Sequence, residues 1–326
     1  MTNNSEQLTL RHLFEAKRRI QSLMKKSPLK KSHHLSERLD ANVYVKMEMT
    51  NEIGAFKLRG AANKMLALTE MEKKRGITTF STGNHGLAIA FLAGVLGIRA
   101  VICISNRVPN AKVDSLKRLG AEVKVIGESQ DDAENECQRL KEQEGLTVIP
   151  PFDDPYVIAG QGTIALELME DLPSIDQVVI PLSGGGLLSG IGLGLKEVDP
   201  SIGVKAVSIE GASAMEKSLQ AGKPVAVPEK TTLADSLLGG IGQTNRYTLP
   251  LVKKYMDELV LVNEEEIAEG MRFLLTKEKI IAEGAAATGI SALLKDADSV
   301  KGQTIAVILT GNNVAPDVLA SLLSEG

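Results

Sequence analysis

The sequence predicts an α/β protein built from two open parallel-sheet domains with helices on both faces. Three observations predict it. Short apolar runs alternate with helical patterns along most of the 326 residues. The runs at 100–104, 177–182 and 304–309 are almost continuously apolar, as strands covered on both faces must be. Glycine-containing loops follow several of these runs, in the place where open parallel sheets bind ligands.

In chain order, residues 8–24 have helical spacing that Ser27-Pro28 breaks, and 42–48 alternate as a strand. A helix over 57–69 carries Leu58, Ala61, Ala62, Met65 and Leu66 on one stripe. From Gly76 the pattern is regular. Strands at 77–81, 100–104, 122–126 and 146–149 enclose a helix at 87–96, a helix opened by Pro109 and closed by Gly120, and a helix capped by Ser129. Pro150-Pro151 marks a crossing between domains. Beyond it come helices at 161–170, 187–197, 264–277, 285–294 and 317–323, and strands at 177–182, 204–209, 258–262 and 304–309. The expected division is a large cofactor-binding domain, 1–75 with 150–326, and a small inserted α/β domain, 76–149.

Composition excludes several classes. A net charge of −4 and the lack of any basic run with interleaved aromatics argue against nucleic acid as partner. The start is polar, and no stretch approaches the roughly 18 consecutive apolar residues of a membrane span, so no membrane partner and a cytoplasmic location are expected. Two cysteines make neither a disulfide framework nor a zinc cluster; Cys103 reads as a buried thiol and Cys137, in a charged run, as a surface thiol.

Three loops and one amine carry the chemistry. Gly184-Gly185-Gly186 follows an apolar strand and opens a helix, so converging backbone N–H groups and a helix N-terminus point to a bound phosphate, against the alternative of tight strand–helix packing. Glu210 ends the next strand at about the 20-residue offset of a dinucleotide fold, but Ser189 occupies the sixth position of G-x-G-x-x-G and no Gly-Lys-Ser/Thr follows. A small phosphate ester fits better. Ser81-Thr82-Gly83-Asn84-His85-Gly86 offers donors for a carboxylate, or is a turn; His85 reads more readily as a packing histidine than as a general base. Thr310, at the end of the last strand, offers a neutral hydroxyl. Lys57 supplies the amine.

Together Phe56-Lys57-Leu58-Arg59-Gly60-Ala61, Gly83-Asn84-His85-Gly86, Gly160-Gln161-Gly162-Thr163, Ser183-Gly184-Gly185-Gly186-Leu187, Ala282-Glu283-Gly284 and Thr310-Gly311-Asn312-Asn313-Val314 occur in the order seen in fold type II pyridoxal-phosphate enzymes. Over nearly the whole chain the sequence resembles the serine/threonine dehydratases and serine racemase. The resemblance implies that Lys57 holds pyridoxal 5'-phosphate covalently and acts as base at the substrate Cα, and that Asn84 bonds the ring 3-hydroxyl. It also implies that Ser183, Gly184, Gly185 and Gly186, with Leu187 beside them, hold the phosphate, that Thr310 faces the pyridine nitrogen, and that Phe56 and Glu283 lie near the ring. Ser81, Thr82, Gly83 and His85 then line the substrate-carboxylate loop. A free amine is what this chemistry needs, and burial, which lowers a lysine pKa, suits Lys57.

The expected activity is β-elimination of a β-hydroxy amino acid such as L-threonine or L-serine to a 2-oxo acid and ammonia, with racemisation as the alternative. Ala55 and Ser183 depart from the family pattern, and Thr82 stands where the racemase carries a proton-delivering serine. A threonine is stiffer at χ1, which ranks elimination first. Leu233-Ala234-Asp235-Ser236-Leu237-Leu238-Gly239-Gly240-Ile241-Gly242 also resembles the dehydratase of hydroxyectoine breakdown. With no regulatory domain after Gly326, the catabolic type is expected. The resemblance further implies a homodimer or homotetramer, and an Mg²⁺ or Ca²⁺ site at Glu210, the Ala214 carbonyl and Glu216, for which a surface salt bridge is the competing reading.

Overall fold

The computed structural model describes residues 7–324 apart from Thr82, Pro109 and Ser129. Helix α1 (Leu10–Ile20) buries Leu13, Ala16 and Ile20, the i, i+3, i+7 stripe of an amphipathic helix. Strand β1 (Leu29–Lys31) and helix α2 (His33–Leu39) come next, then β2 (Asn42–Met47), α3 (Lys57–Leu66) and α4 (Glu70–Arg75). β1 and α2 are absent from the sequence reading, because a strand of three residues is too short for alternation to register. α3 ends earlier than expected since Thr69 starts a new helix, accepting from Glu72 N while the Glu72 side chain returns to the Thr69 N–H.

The next strands and helices are β3 (Ile77–Thr79), α5 (Asn84–Leu96), β4 (Ala100–Ile104), α6 (Asn110–Arg118), β5 (Glu122–Val125), α7 (Gln130–Glu144) and β6 (Thr147–Val148). They build a four-stranded parallel sheet in the order β5-β4-β3-β6. The helix starts expected at Pro109 and Ser129 lie outside the described residues. Cys137 corrects an expectation: it is 0% exposed. α7 turns Ala133, Cys137 and Leu140 inward at i, i+4 and i+7 against Val101 and Cys103, so the neighbouring charges cover the other face of the helix.

Helix α8 (Pro155–Asp171) begins well before the expected residue 161, because Asp154 accepts from the Tyr156 and Val157 N–H groups and Pro155 fills the first turn. Then follow β7 (Gln177–Pro181), α9 (Gly186–Val198), β8 (Gly203–Ile209), α10 (Ala214–Ala221), α11 (Thr248–Tyr255) and β9 (Glu258–Val262). The chain closes with α12 (Glu264–Phe273), α13 (Gly284–Lys295), β10 (Thr304–Leu309) and α14 (Pro316–Ser324). The expected helix over 264–277 changes character at its end. Leu274–Glu278 is a π-helical turn whose buried Glu278 accepts from Ser32 Oγ at 2.6 Å.

These strands join β1 and β2 in a six-stranded sheet of order β1-β2-β10-β7-β8-β9. Its neighbours are parallel except for the edge strand β1, which runs antiparallel to β2. Both faces are buried: Val179, Val207 and Val307 pack with α12 and α13 residues on one side, while Val178, Ile180, Ala206 and Ile308 pack with α8 and α9 residues on the other. That is the physical meaning of the continuous apolar runs. Among the described residues no helix is long and apolar enough to cross a membrane.

One buried ionic cluster fixes α3 to its surroundings. Arg59 donates to both Glu48 oxygens (2.7 and 3.0 Å), to both Glu167 oxygens (2.6 and 2.9 Å), to Thr163 Oγ1 (3.0 Å) and to Ser27 Oγ (3.1 Å). Lys46 adds a bond to Glu167 at 2.6 Å. Two cations thus face two carboxylates, the condition under which such charges are tolerated inside a protein.

Candidate active site

The loop between β2 and α3 is shaped by its pairing with the end of β10. Phe56 N donates to Thr310 O (2.9 Å) and Asn312 N to Gly54 O (3.0 Å). Gly54 sits at φ 68°, and a side chain there would fall on the Asn312 amide oxygen. This pairing sets Lys57, the first residue of α3, beside the carboxyl end of the six-stranded sheet.

Lys57 faces a cavity of about 290 Å³ lined by the loops that follow β3, β4, β7 and β10. Its Nζ donates to Pro151 O at 2.7 Å. Burial lowers its pKa to about 8, against the opposing pull of the Glu283 charge. Phe56 lines the same wall.

Asn84, which opens α5, donates through Nδ2 to both Glu283 oxygens at 3.0 and 3.1 Å and accepts from Asn313 Nδ2 at 2.7 Å. Glu283 is 4% exposed, and burial raises its pKa to about 7 even though the Asn84 bond works the other way. His85 Nε2 lies 3.0 Å from the Ile149 carbonyl, while its buried Nδ1 has no hydrogen-bond partner. A carbonyl only accepts, so Nε2 carries the proton and Nδ1 is left as an acceptor. Burial, with the Lys57 charge adding to it, lowers the His85 pKa to about 3 and keeps the ring neutral. Ser81 and Gly83 line the same side of the cavity; Thr82 lies outside the described residues.

Ser183, Gly184, Gly185, Gly186 and Leu187 line the same cavity. The loop packs against Phe152: a Cβ on Gly184 would lie 2.5 Å from Phe152 Cγ, and one on Gly186 3.0 Å from Phe152 Cβ. Thr310 borders the cavity and spends its carbonyl on Phe56, with its hydroxyl without a protein partner among the described residues. An amine, a glycine cradle beside a helix N-terminus, and amide, hydroxyl and unpaired imidazole groups between them fit a small phosphate ester bearing an aldehyde.

The residues proposed from sequence for a metal lie elsewhere. Glu210 is exposed after β8. The Ala214 carbonyl accepts from Ser218 Oγ at 2.7 Å, and Glu216 accepts from Gln220 Nε2 at 2.9 Å and Lys217 Nζ at 3.3 Å. As they stand the Ala214 carbonyl and Glu216 are engaged with protein partners and make a poor fit to an ion. Among the described residues no three His, Cys, Asp or Glu side chains group as a metal site.

Sequence reasoning left three residues of this region without a role. Asn313 belongs to a quoted motif but its link to Asn84 is not readable from spacing. Pro151 was read only as a crossing point, and Phe152 not at all; the Pro-Pro pair beside it was the available signal.

Comparisons with known proteins agree with this chemistry. The sequence model of the family described as "Pyridoxal-phosphate dependent enzyme" matches residues 20–311. An L-threonine ammonia-lyase of Thermotoga maritima is 40% identical over 98% of this chain and 79% of its own length. A catabolic L-threonine dehydratase of Escherichia coli is 36% identical over 92% of each chain. The structure of maize serine racemase superposes with a TM-score of 0.90 at 32% identity, covering 97% of both chains.

Proposed function

The chain belongs to the pyridoxal-phosphate dependent enzyme family, and from that premise we propose that it removes the β-hydroxyl and the amino group of a β-hydroxy amino acid, L-threonine or L-serine, giving a 2-oxo acid and ammonia. One observation carries the reading: the Lys57 amine and the 183–186 loop line one cavity, together with Asn84, Glu283 and Thr310. The full-length relatives named for threonine ammonia-lyase and dehydratase activity support the substrate class.

Pyridoxal phosphate, when bound, supplies an aldehyde that captures amines and a sink for the electron pair left at Cα. In our reading Lys57 would hold the group through its amine, and that amine, free in part because burial lowers its pKa to about 8, would take the substrate Cα proton. The departing hydroxyl gains a proton and leaves as water, and hydrolysis of the remaining enamine nitrogen releases ammonia. The 183–186 loop holds the phosphate through backbone N–H groups. Asn84 would hold the ring hydroxyl, and Thr310 would offer the ring nitrogen a neutral hydroxyl, a pairing that favours loss of the β-substituent. Ser81, Gly83 and the neutral His85 line the part of the cavity we assign to the substrate carboxylate.

Racemisation is the second reading, favoured by the superposition on maize serine racemase. The two part experimentally: elimination releases ammonia and a 2-oxo acid in equal amounts, whereas racemisation inverts Cα and releases neither. Assays on L-threonine, L-serine, threo-3-hydroxyaspartate and hydroxyectoine-derived amino acids decide the substrate. Robust turnover of threonine alone would remove the hydroxyectoine reading. Thr82→Ala abolishes inversion and spares elimination if the hydroxyl delivers a proton.

Cytoplasmic location and a homodimer or homotetramer complete the proposal, and light scattering of the purified chain tests the oligomer. A divalent ion at Glu210, Ala214 and Glu216 requires Glu216 to leave Gln220 and Lys217. If it binds, Ca²⁺ or Mg²⁺ raises the melting temperature of the protein but not of its Glu216→Ala variant; no rise in the unsubstituted protein removes the ion.

A further inference from the structure

The segment that carries the chain from β6 back to α8 touches both Lys57 and the glycine loop of the cavity. Pro151 holds Lys57 through its carbonyl at 2.7 Å. Asp153 accepts from the backbone N–H groups of Arg246, Tyr247 and Thr248 at 2.8, 2.9 and 2.8 Å, which pins the segment to the start of α11. Asp154 N closes a further bond to Phe152 O at 2.9 Å. Between these anchors the Phe152 ring is laid against the glycine loop. A methyl at Gly184 would sit 2.5 Å from Phe152 Cγ and 2.6 Å from Cε1, and at Gly186 it would meet the Phe152 Cβ, Cα and carbonyl oxygen at 3.0–3.1 Å. Carbon atoms in contact stand about 3.5–4.0 Å apart, so the loop has no room to move toward the ring.

We propose that Phe152, which lines the cavity beside the glycine loop, is a positioning residue for the cofactor phosphate: its ring packs against the 183–186 loop and dictates glycine at 184. The inference rests on the assignment of that loop to the phosphate. It explains why the loop keeps its shape with few side chains of its own. Glycine at 184 serves close approach of an aromatic ring.

The test measures binding of pyridoxal phosphate, and of pyridoxal, which lacks the phosphate, to the full-length chain freed of cofactor with hydroxylamine. Phe152→Ala weakens pyridoxal phosphate by about tenfold or more and changes pyridoxal by less than about twofold, since only the phosphate increment depends on the loop. Gly184→Ala overpacks the ring and weakens pyridoxal phosphate about tenfold to a hundredfold. The double variant Phe152→Ala/Gly184→Ala binds it more tightly than Gly184→Ala alone, because the ring the methyl struck is gone. Equal weakening of both ligands by Phe152→Ala, or a double variant no tighter than the single, overturns the inference and leaves the phosphate assignment standing. Wild-type affinity in Gly184→Ala overturns both. Should Gly184→Ala fail to fold, the contrast between the two ligands in Phe152→Ala decides.

Discussion

At the scale of single residues, the site depends on two buried groups whose ionisation is displaced toward neutrality. Lys57 is brought to about 8 by burial, so part of its population is free amine at physiological pH. Covalent capture of pyridoxal phosphate by the cofactor-free protein therefore speeds up as pH rises and levels off above about 8; a stopped-flow pH profile checks it, and Lys57→Ala gives no capture at any pH. Glu283 is raised to about 7 from 4.5 by burial. The folded state then holds a proton that the unfolded chain has released, so this group's stabilisation is complete below its ordinary pKa and is lost as pH climbs through about 7. Denaturant unfolding of the cofactor-free protein should show a fall in stability across that window, of at most about 1.4 kcal/mol per pH unit, and Glu283→Gln should flatten it. Lys57 was legible because its flanking motif is distinctive. Asn313 and Phe152 were not, since an amide and an aromatic ring gain their roles only from partners far along the chain, Asn84 for the one and Gly184 for the other.

At the scale of elements, α3 delivers Lys57 only because the rest of the helix is tied down. Arg59 sits two residues beyond the amine and joins α3 to Glu48 after β2 and to Glu167 on α8. Arg59→Ala leaves two buried carboxylates facing Lys46 alone and should cost about 3–5 kcal/mol, measured by denaturant unfolding. A cost near zero would mean that water enters and solvates the carboxylates. Elements with strong caps or unbroken apolar runs were legible: β4, β9 and β10 have the residues expected for them. Those without were not. β1 is too short to show a pattern, α10 and α11 lie in the mixed stretch between β8 and β9, and α7 hid the burial of Cys137 because the charges on its other faces outnumber the apolar stripe. The start of α8 was missed through a different cause: Asp154-Pro155 is a helix-opening pair that the preceding Pro150-Pro151 made look like continuing loop.

At the scale of the whole molecule, two sheets, parallel but for the edge strand β1, present the carboxyl ends of their parallel strands to one cavity. The alternation of strand and helix made the sheets legible, whereas the strand order was not. β10 lies between β2 and β7, and a pairing between segments so far apart in the chain leaves no mark on either one alone. Contacts across the cavity come from the ends of elements, Asn84 to Glu283 and the Lys112–Asp235 ion pair at 3.4 Å, the latter half-exposed and therefore worth little in isolation. The account stands on the claim that Lys57 drives elimination in this cavity. Its most direct test is the release of ammonia and 2-oxo acid from L-threonine by the cofactor-loaded protein and by Lys57→Ala. We predict equal amounts of the two products from the first and none above the uncatalysed rate from the second. Inversion at Cα without ammonia, or undiminished release by Lys57→Ala, would contradict it.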